Sequence, residues 1–147
     1  MTKEKVKLVV TVIIVVIFST AIAAFASYEK YYRLTSISGN SYSVRIDDEE
    51  SIKATPFSLS VIKGKDEVGV NLLSASLYDA IKSQIKEGDY DEYTKYLGGY
   101  SYECYFDGSY FTYLRPISPA DYISISSTNE EKLDSVCDKI KISLRRR

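Results

Sequence analysis

The chain of 147 residues has no histidine and two cysteines, Cys104 and Cys137. Without an imidazole it has no Ser-His-Asp triad, no histidine base poised near neutrality and none of the usual zinc ligand sets. Two thiols are too few for a four-ligand metal site, and in an oxidising compartment they read first as one disulfide, Cys104–Cys137. Such a bridge closes a loop of roughly 30 residues and contributes about 3 to 4 kcal/mol in the chain-entropy picture. The alternative is two buried free thiols that act as small apolar residues, and a nucleophilic thiol lacks the histidine that would usually activate it. The run Asp47-Asp48-Glu49-Glu50 lacks the turn glycine around which calcium loops space their ligands, so it reads as a solvated acidic loop. Asp89, Asp91 and Glu92 are the remaining carboxylates beside aromatic residues, and glycosidase chemistry needs two such groups facing each other across a cleft. Gly64-Lys65 is followed by Asp66 where a phosphate loop needs Ser or Thr, so a plain turn is expected. No metal and no cofactor is expected.

Tyrosine is the other abundant functional type: there are 14, nine of them between Tyr90 and Tyr122. Exposed tyrosines on a sheet can stack sugars or grip a peptide, because they offer contact area at little entropic cost. They can equally fill a sheet in a protein with no tryptophan and only 5 phenylalanines. Tyr105 and Tyr110, paired across a hairpin on its non-core face, are the candidate ligand-binding residues, although a cross-strand aromatic pair also stabilises a hairpin unaided.

The elements that position these residues begin with a location signal. Residues 8–26 are nineteen residues without a charge, twelve of them Leu, Ile, Val or Phe, and Lys3, Lys5 and Lys7 precede them. As a helix the run spans roughly 28 Å, close to the hydrocarbon thickness of a bilayer. Ala24-Phe25-Ala26 before Ser27 also satisfies a signal-peptidase site, so cleavage after Ala26 would yield a secreted body. The run exceeds the usual signal-peptide core of roughly 7 to 15 residues, which favours an uncleaved anchor. The lysine bias leaves the N-terminus in the cytoplasm and residues 27–147 outside. The expected organisation is an anchor over residues 1–27, a juxtamembrane linker over 28–40 whose Tyr28, Tyr31 and Tyr32 suit head-group depth, an extracytoplasmic domain over 41–144, and a basic tail over 145–147.

Residues 27–144 carry 13 basic and 19 acidic side chains with no basic stripe interleaved with aromatics, so nucleic acid is not an expected partner. Arg145, Arg146 and Arg147 read as a frayed solvated end or as an attraction for anionic lipid or cell-wall polymer. Tyr42, Val44 and Ile46 alternate as a strand, and Phe57-Leu59-Val61 followed by Val68-Val70-Leu72 outline a hairpin. Ser76 caps a helix with Leu77, Ile81 and Ile85 on its apolar edge, closed by Gly88. Tyr93, Tyr96 and Leu97 fall at helical spacing before Gly98-Gly99, which predicts a short helix or an irregular connection. Asp107-Gly108 predicts a two-residue turn pairing Cys104 with Phe111 and Tyr105 with Tyr110. A strand over residues 122–126 leads to a last helix capped by Thr128 or Asn129, with Leu133, Val136, Cys137 and Ile140 as its buried stripe. The predicted fold class is α+β: an N-terminal transmembrane helix followed by an antiparallel sheet with helices packed on one face.

The ending YISISSTNEEKLDSVCDKIKISL, a strand running into an acidic-capped helix, resembles the PsbP/Mog1-like α+β domains, including those carried on bacterial lipoproteins. The likeness covers residues 42–144 in order of elements and the last two dozen residues in pattern. It implies a non-enzymatic binding or assembly factor and carries over no site residue; the lipid-attachment cysteine is absent. A long apolar helix before an α+β head is also similar to the type IV pilin-like group, whose fifth-position glutamate has no counterpart after Lys7.

The expected function is therefore a non-enzymatic extracytoplasmic binding or assembly module, tethered to the membrane by residues 8–26, with an envelope protein or a cell-surface polymer as partner. The alternatives are a carboxylate-dependent hydrolase and a filament subunit whose helices approach at Thr20 and Ala24 or at Ser19 and Ala23.

Overall fold

The computed structural model describes residues 31–46 and 51–145. Along these residues the order is β1 (Tyr31–Thr35), β2 (Ser41–Ile46), β3 (Ser51–Ala54), β4 (Ser58–Lys63), β5 (Asp66–Ser74), α1 (Ala75–Glu87), β6 (Asp91–Leu97), β7 (Tyr100–Phe106), β8 (Phe111–Pro116), β9 (Asp121–Ser127), α2 (Glu130–Lys139) and β10 (Ile140–Leu144). The strands form a three-stranded sheet in the order β1-β2-β10 and a seven-stranded sheet in the order β3-β4-β5-β9-β8-β7-β6, every pairing antiparallel.

Period-2 alternation explains the faces of the large sheet. One cross-strand row runs Tyr93, Cys104, Tyr113, Ile125, Val70 and Leu59. It meets Leu133, Val136 and Cys137 of α2, together with Tyr42, Val44 and Ile46 of the small sheet, in one core. The opposite face buries Leu73, Tyr105 and Leu114 beneath Ile81 and Ile85 of α1. The two helices therefore lie on opposite faces of the same sheet, and the small sheet shares a face with α2.

This corrects the expected fold class. Strands account for 56% of the structure and helices for 21%, so the body is mostly β and has two sheets, where one sheet with helices on one face was expected. Tyr105 and Leu114 show the cause: they make the second face of the hairpin apolar enough to need its own helix. Among the described residues no helix is long and apolar enough to cross a membrane, and the run 8–26 lies outside them.

Several elements differ from the sequence reading, beginning with β1, which lies in the expected linker, and β3, which had no predicted counterpart. Residues Asp91–Leu97 are a strand, with Tyr93, Lys95 and Leu97 turned inward and their neighbours exposed, and no short helix forms. The two-residue hairpin turn is Gly98-Gly99, with φ of 59° and 88° and Leu97 opposite Tyr100. A turn with both central residues in the left-handed region favours glycine, which adopts it without a Cβ penalty. At Asp107 the loop is wider: its side chain accepts from the amides of Ser109 and Tyr110 at 2.8 and 2.7 Å, and Phe106 pairs with Phe111. The register is thus two residues from the expected one, which keeps every side chain on its predicted face while changing its partner. Finally, α2 stops at Lys139 and Ile140 opens β10, which pairs with β2 through Ile142↔Val44. The helix caps are Ser74, accepting from the Leu77 amide, and Asn129, accepting from the Lys132 amide.

Candidate functional site

Tyr105 leads to a cleft beneath α1. Its ring is 1% exposed under α1, and Thr112, not Tyr110, lies opposite it. Tyr110 stands instead in the turn after Asp107 and lines a different cavity of about 180 Å³ with Asp66, Glu67 and Ser126. The expected Tyr105–Tyr110 surface pair is therefore not formed; the hairpin's wider loop carries Tyr110 past its partner.

The Tyr105 hydroxyl emerges into a cleft of about 310 Å³ between α1 and the edge of the sheet, lined also by Lys82, Lys86, Tyr90 and Glu92. Lys82 donates to the Tyr105 hydroxyl and, at 3.0 Å, to Glu103. The Tyr78 hydroxyl donates to both Glu103 oxygens, at 2.8 and 3.0 Å, and its ring stacks on Tyr122 at 3.8 Å. Burial acts to lower the Lys82 pKa, but the hydrogen bonds to Tyr105 and Glu103 outweigh it and hold the ammonium above its ordinary range. Burial also raises the Tyr105 and Tyr78 phenols, Glu103 reinforcing the effect at both. Tyr90 is pushed up to about 12 by burial and by the Asp107 carboxylate. Its hydroxyl oxygen is buried and, among the described residues, has no hydrogen-bond partner. The wall thus presents the locked Lys82 ammonium, protonated phenols and the side chains of Lys86 and Glu92, which is the chemistry of recognition by hydrogen bonds.

The candidate acids of the hydrolase reading do not converge here. Asp91 and Glu92 are consecutive in β6 and point to opposite faces, and only Glu92 reaches the cleft.

A second polar cluster seals the other face. Glu130 accepts from Tyr93 and, at 2.9 Å, from Tyr113; Asp134 accepts from Tyr113 and from Lys95, each at 2.7 Å. Burial opposes ionisation of Glu130, but these donors and Lys95 lower its pKa. A third cluster ties the sheets together: Asp121, fully buried, accepts from Ser36, from Ser38 at 2.8 Å, from Asn40 at 3.1 Å and from Tyr42 at 2.5 Å. Both clusters consume their own donors and acceptors and act as struts.

Cys104 and Cys137 share the core beneath α2, as their placement on a strand and on the helix laid over it predicts. They are free thiols, which corrects the expected disulfide. Burial raises the Cys104 pKa to about 12 and raises that of Cys137 as well, so both stay protonated and unreactive. Among the described residues no group of His, Cys, Asp or Glu side chains is arranged to hold a metal ion.

Sequence reasoning missed Lys82, Glu103 and Tyr90 as a unit. They come from α1, β7 and the loop between α1 and β6, and it is the packing of α1 on the second face of the sheet, which no local pattern announces, that sets Lys82 against Glu103. No protein-family model, curated protein or solved structure matches this chain.

Proposed function

We propose that the chain is a non-enzymatic binding or assembly module displayed outside the cytoplasmic membrane and tethered there by its apolar segment 8–26, with its N-terminus in the cytoplasm. The observation that carries the reading is the α1 cleft. The buried Tyr90 hydroxyl, without a partner among the described residues and lining the cleft with a locked ammonium and a carboxylate, favours a ligand that supplies hydroxyl or amide groups. An envelope protein loop or a cell-surface polymer has that chemistry. The cleft's amine is held protonated and its phenols neutral, so they serve as donors rather than as bases or nucleophiles. The role agrees with what the PsbP/Mog1-like resemblance implies.

The test is a photo-cross-linking amino acid placed at Lys86, on the exposed rim of the cleft, and separately at Glu131, exposed on α2 across the sheet. Irradiation of intact cells is expected to yield a discrete adduct from position 86 that is absent from position 131. The same adducts from both positions, or none from 86, would remove the cleft as the binding site.

A further inference from the structure

The outer face of the small sheet has a charge pattern unlike the rest of the molecule. Pairing sets its residues in three rows: Tyr31, Arg45 and Lys141; Arg33, Ser43 and Ser143; and Thr35 and Ser41, with the Arg145 amide bonded to the Ser41 carbonyl at 2.8 Å. Successive rows are about 7 Å apart and neighbouring strands about 4.8 Å, so the grid measures roughly 10 by 14 Å. Among the described residues it holds four cations, four hydroxyl residues and one tyrosine, and no carboxylate, although residues 27–144 as a whole carry 19 acids against 13 bases. Arg33, Lys141, Ser143 and Arg145 are exposed, and the Arg45 guanidinium lies 5.8 Å from the centre of the Tyr31 ring. Between Arg33 and Arg145 is an open hollow of about 630 Å³, lined also by Asn40, Ser41 and Leu144. Asp121, whose partners include Ser38 and Asn40 of this lining, is fully buried and spent on Ser36, Ser38, Asn40 and Tyr42.

We propose that this face is a docking surface for anionic lipid headgroups, laying the small sheet against the bilayer that the apolar segment enters. The proposal rests on the tether of the preceding reading. Charge complementarity selects an anion, and arginines above a floor of hydroxyls suit phosphate oxygens. Chain length selects the lipid as its source: only residues 27–30 separate the apolar run from β1, a reach of about 14 Å fully extended. Tyr31, 49% exposed at the membrane-proximal start of β1, suits the interfacial depth that tyrosine favours.

The test uses the full chain with Ile37, 80% exposed in the β1–β2 loop, replaced as Ile37→Cys and labelled with a membrane-impermeant fluorophore. The native thiols are buried. Reconstitution is into phosphatidylcholine vesicles with or without phosphatidylglycerol, and the readout is quenching by neutral acrylamide. Shielding of the probe is expected only in the vesicles containing phosphatidylglycerol, weakening as salt is raised. Arg33→Gln with Arg145→Gln is expected to reduce the docked-to-free ratio about 30-fold, at roughly 1 kcal/mol per cation. The charge-matched pair Lys53→Gln with Lys65→Gln, both exposed on the other sheet, is expected to leave it unchanged. Equal quenching in both vesicle types, or shielding by soluble polyphosphate but not by anionic vesicles, would overturn the proposal. Flotation reports the tether separately: failure to float with either vesicle removes the anchor reading, whereas flotation with equal quenching removes only the headgroup surface.

Discussion

At the scale of single residues, buried polar groups decide more than the number of ion pairs does. Asp121 joins the β1–β2 loop to the start of β9 through four side chains. Burial acts to raise its pKa, but hydrogen bonds from Ser36, Tyr42, Asn40 and Ser38 outweigh this and hold it below the ordinary value. A carboxyl whose folded pKa lies below its unfolded value stabilises fully above about pH 4 and loses that contribution as pH falls through the folded pKa. Asp121→Asn is therefore expected to cost about 1 to 3 kcal/mol at pH 7, because it sets an amide donor among donors, and to flatten the acid limb of a stability–pH curve measured by denaturant unfolding. The thiols give a second expectation at this scale. Without reductant, alkylation of the unfolded chain should add two groups per molecule and alkylation of the native chain none; a native chain that takes up alkylator only after reduction and unfolding would restore the bridge. The cysteines' shared core was legible in the alternation of β7 and the helical stripe of α2. Their bonding state was not, because a common core sets only a neighbourhood and disulfide geometry is narrower than that.

At the scale of elements, glycine separates two otherwise similar turn positions. A Cβ at Gly98 would lie 2.7 Å from the Cys137 carbonyl oxygen, whereas one at Gly99 meets nothing within 4 Å, and both residues have positive φ. Gly99→Ala is expected to cost about 1 to 2 kcal/mol for the left-handed backbone alone, and Gly98→Ala clearly more, since the β6–β7 turn must also draw away from α2. Equal shifts in denaturation midpoint would contradict this contact. Tyr113→Phe should weaken the seating of α2 by about 1 to 3 kcal/mol, as Glu130 and Asp134 lose the one phenolic donor they share. The helices and the strands β2, β4, β5, β7 and β9 were readable because each carries one clear period over its whole length. Strand β6 was not, since Tyr93, Tyr96 and Leu97 satisfy helical spacing while Tyr93, Lys95 and Leu97 satisfy alternation, and only pairing with β7 chooses. Strand β10 was hidden for a related reason: Ile140 fits the helical stripe of α2 and also begins the alternation completed by Ile142.

At the scale of the whole molecule, the layering rests on pairings distant in sequence, β5 with β9 and β2 with β10, which local patterns cannot announce. The acidic balance of the body was visible in composition; its segregation from a basic face appeared only when β1, β2 and β10 came together. The cleft under α1 and the basic face of the small sheet belong to different sheets, so the proposed binding in the one and the proposed headgroup docking on the other do not compete for the same surface. All of this depends on which side of the membrane the body occupies. The direct test is Ser109→Cys, exposed in the turn between β7 and β8, labelled with a membrane-impermeant maleimide in intact cells, where the buried native thiols stay silent. The account predicts the same labelling before and after the cells are broken; labelling that appears only after lysis would place the body in the cytoplasm and contradict it.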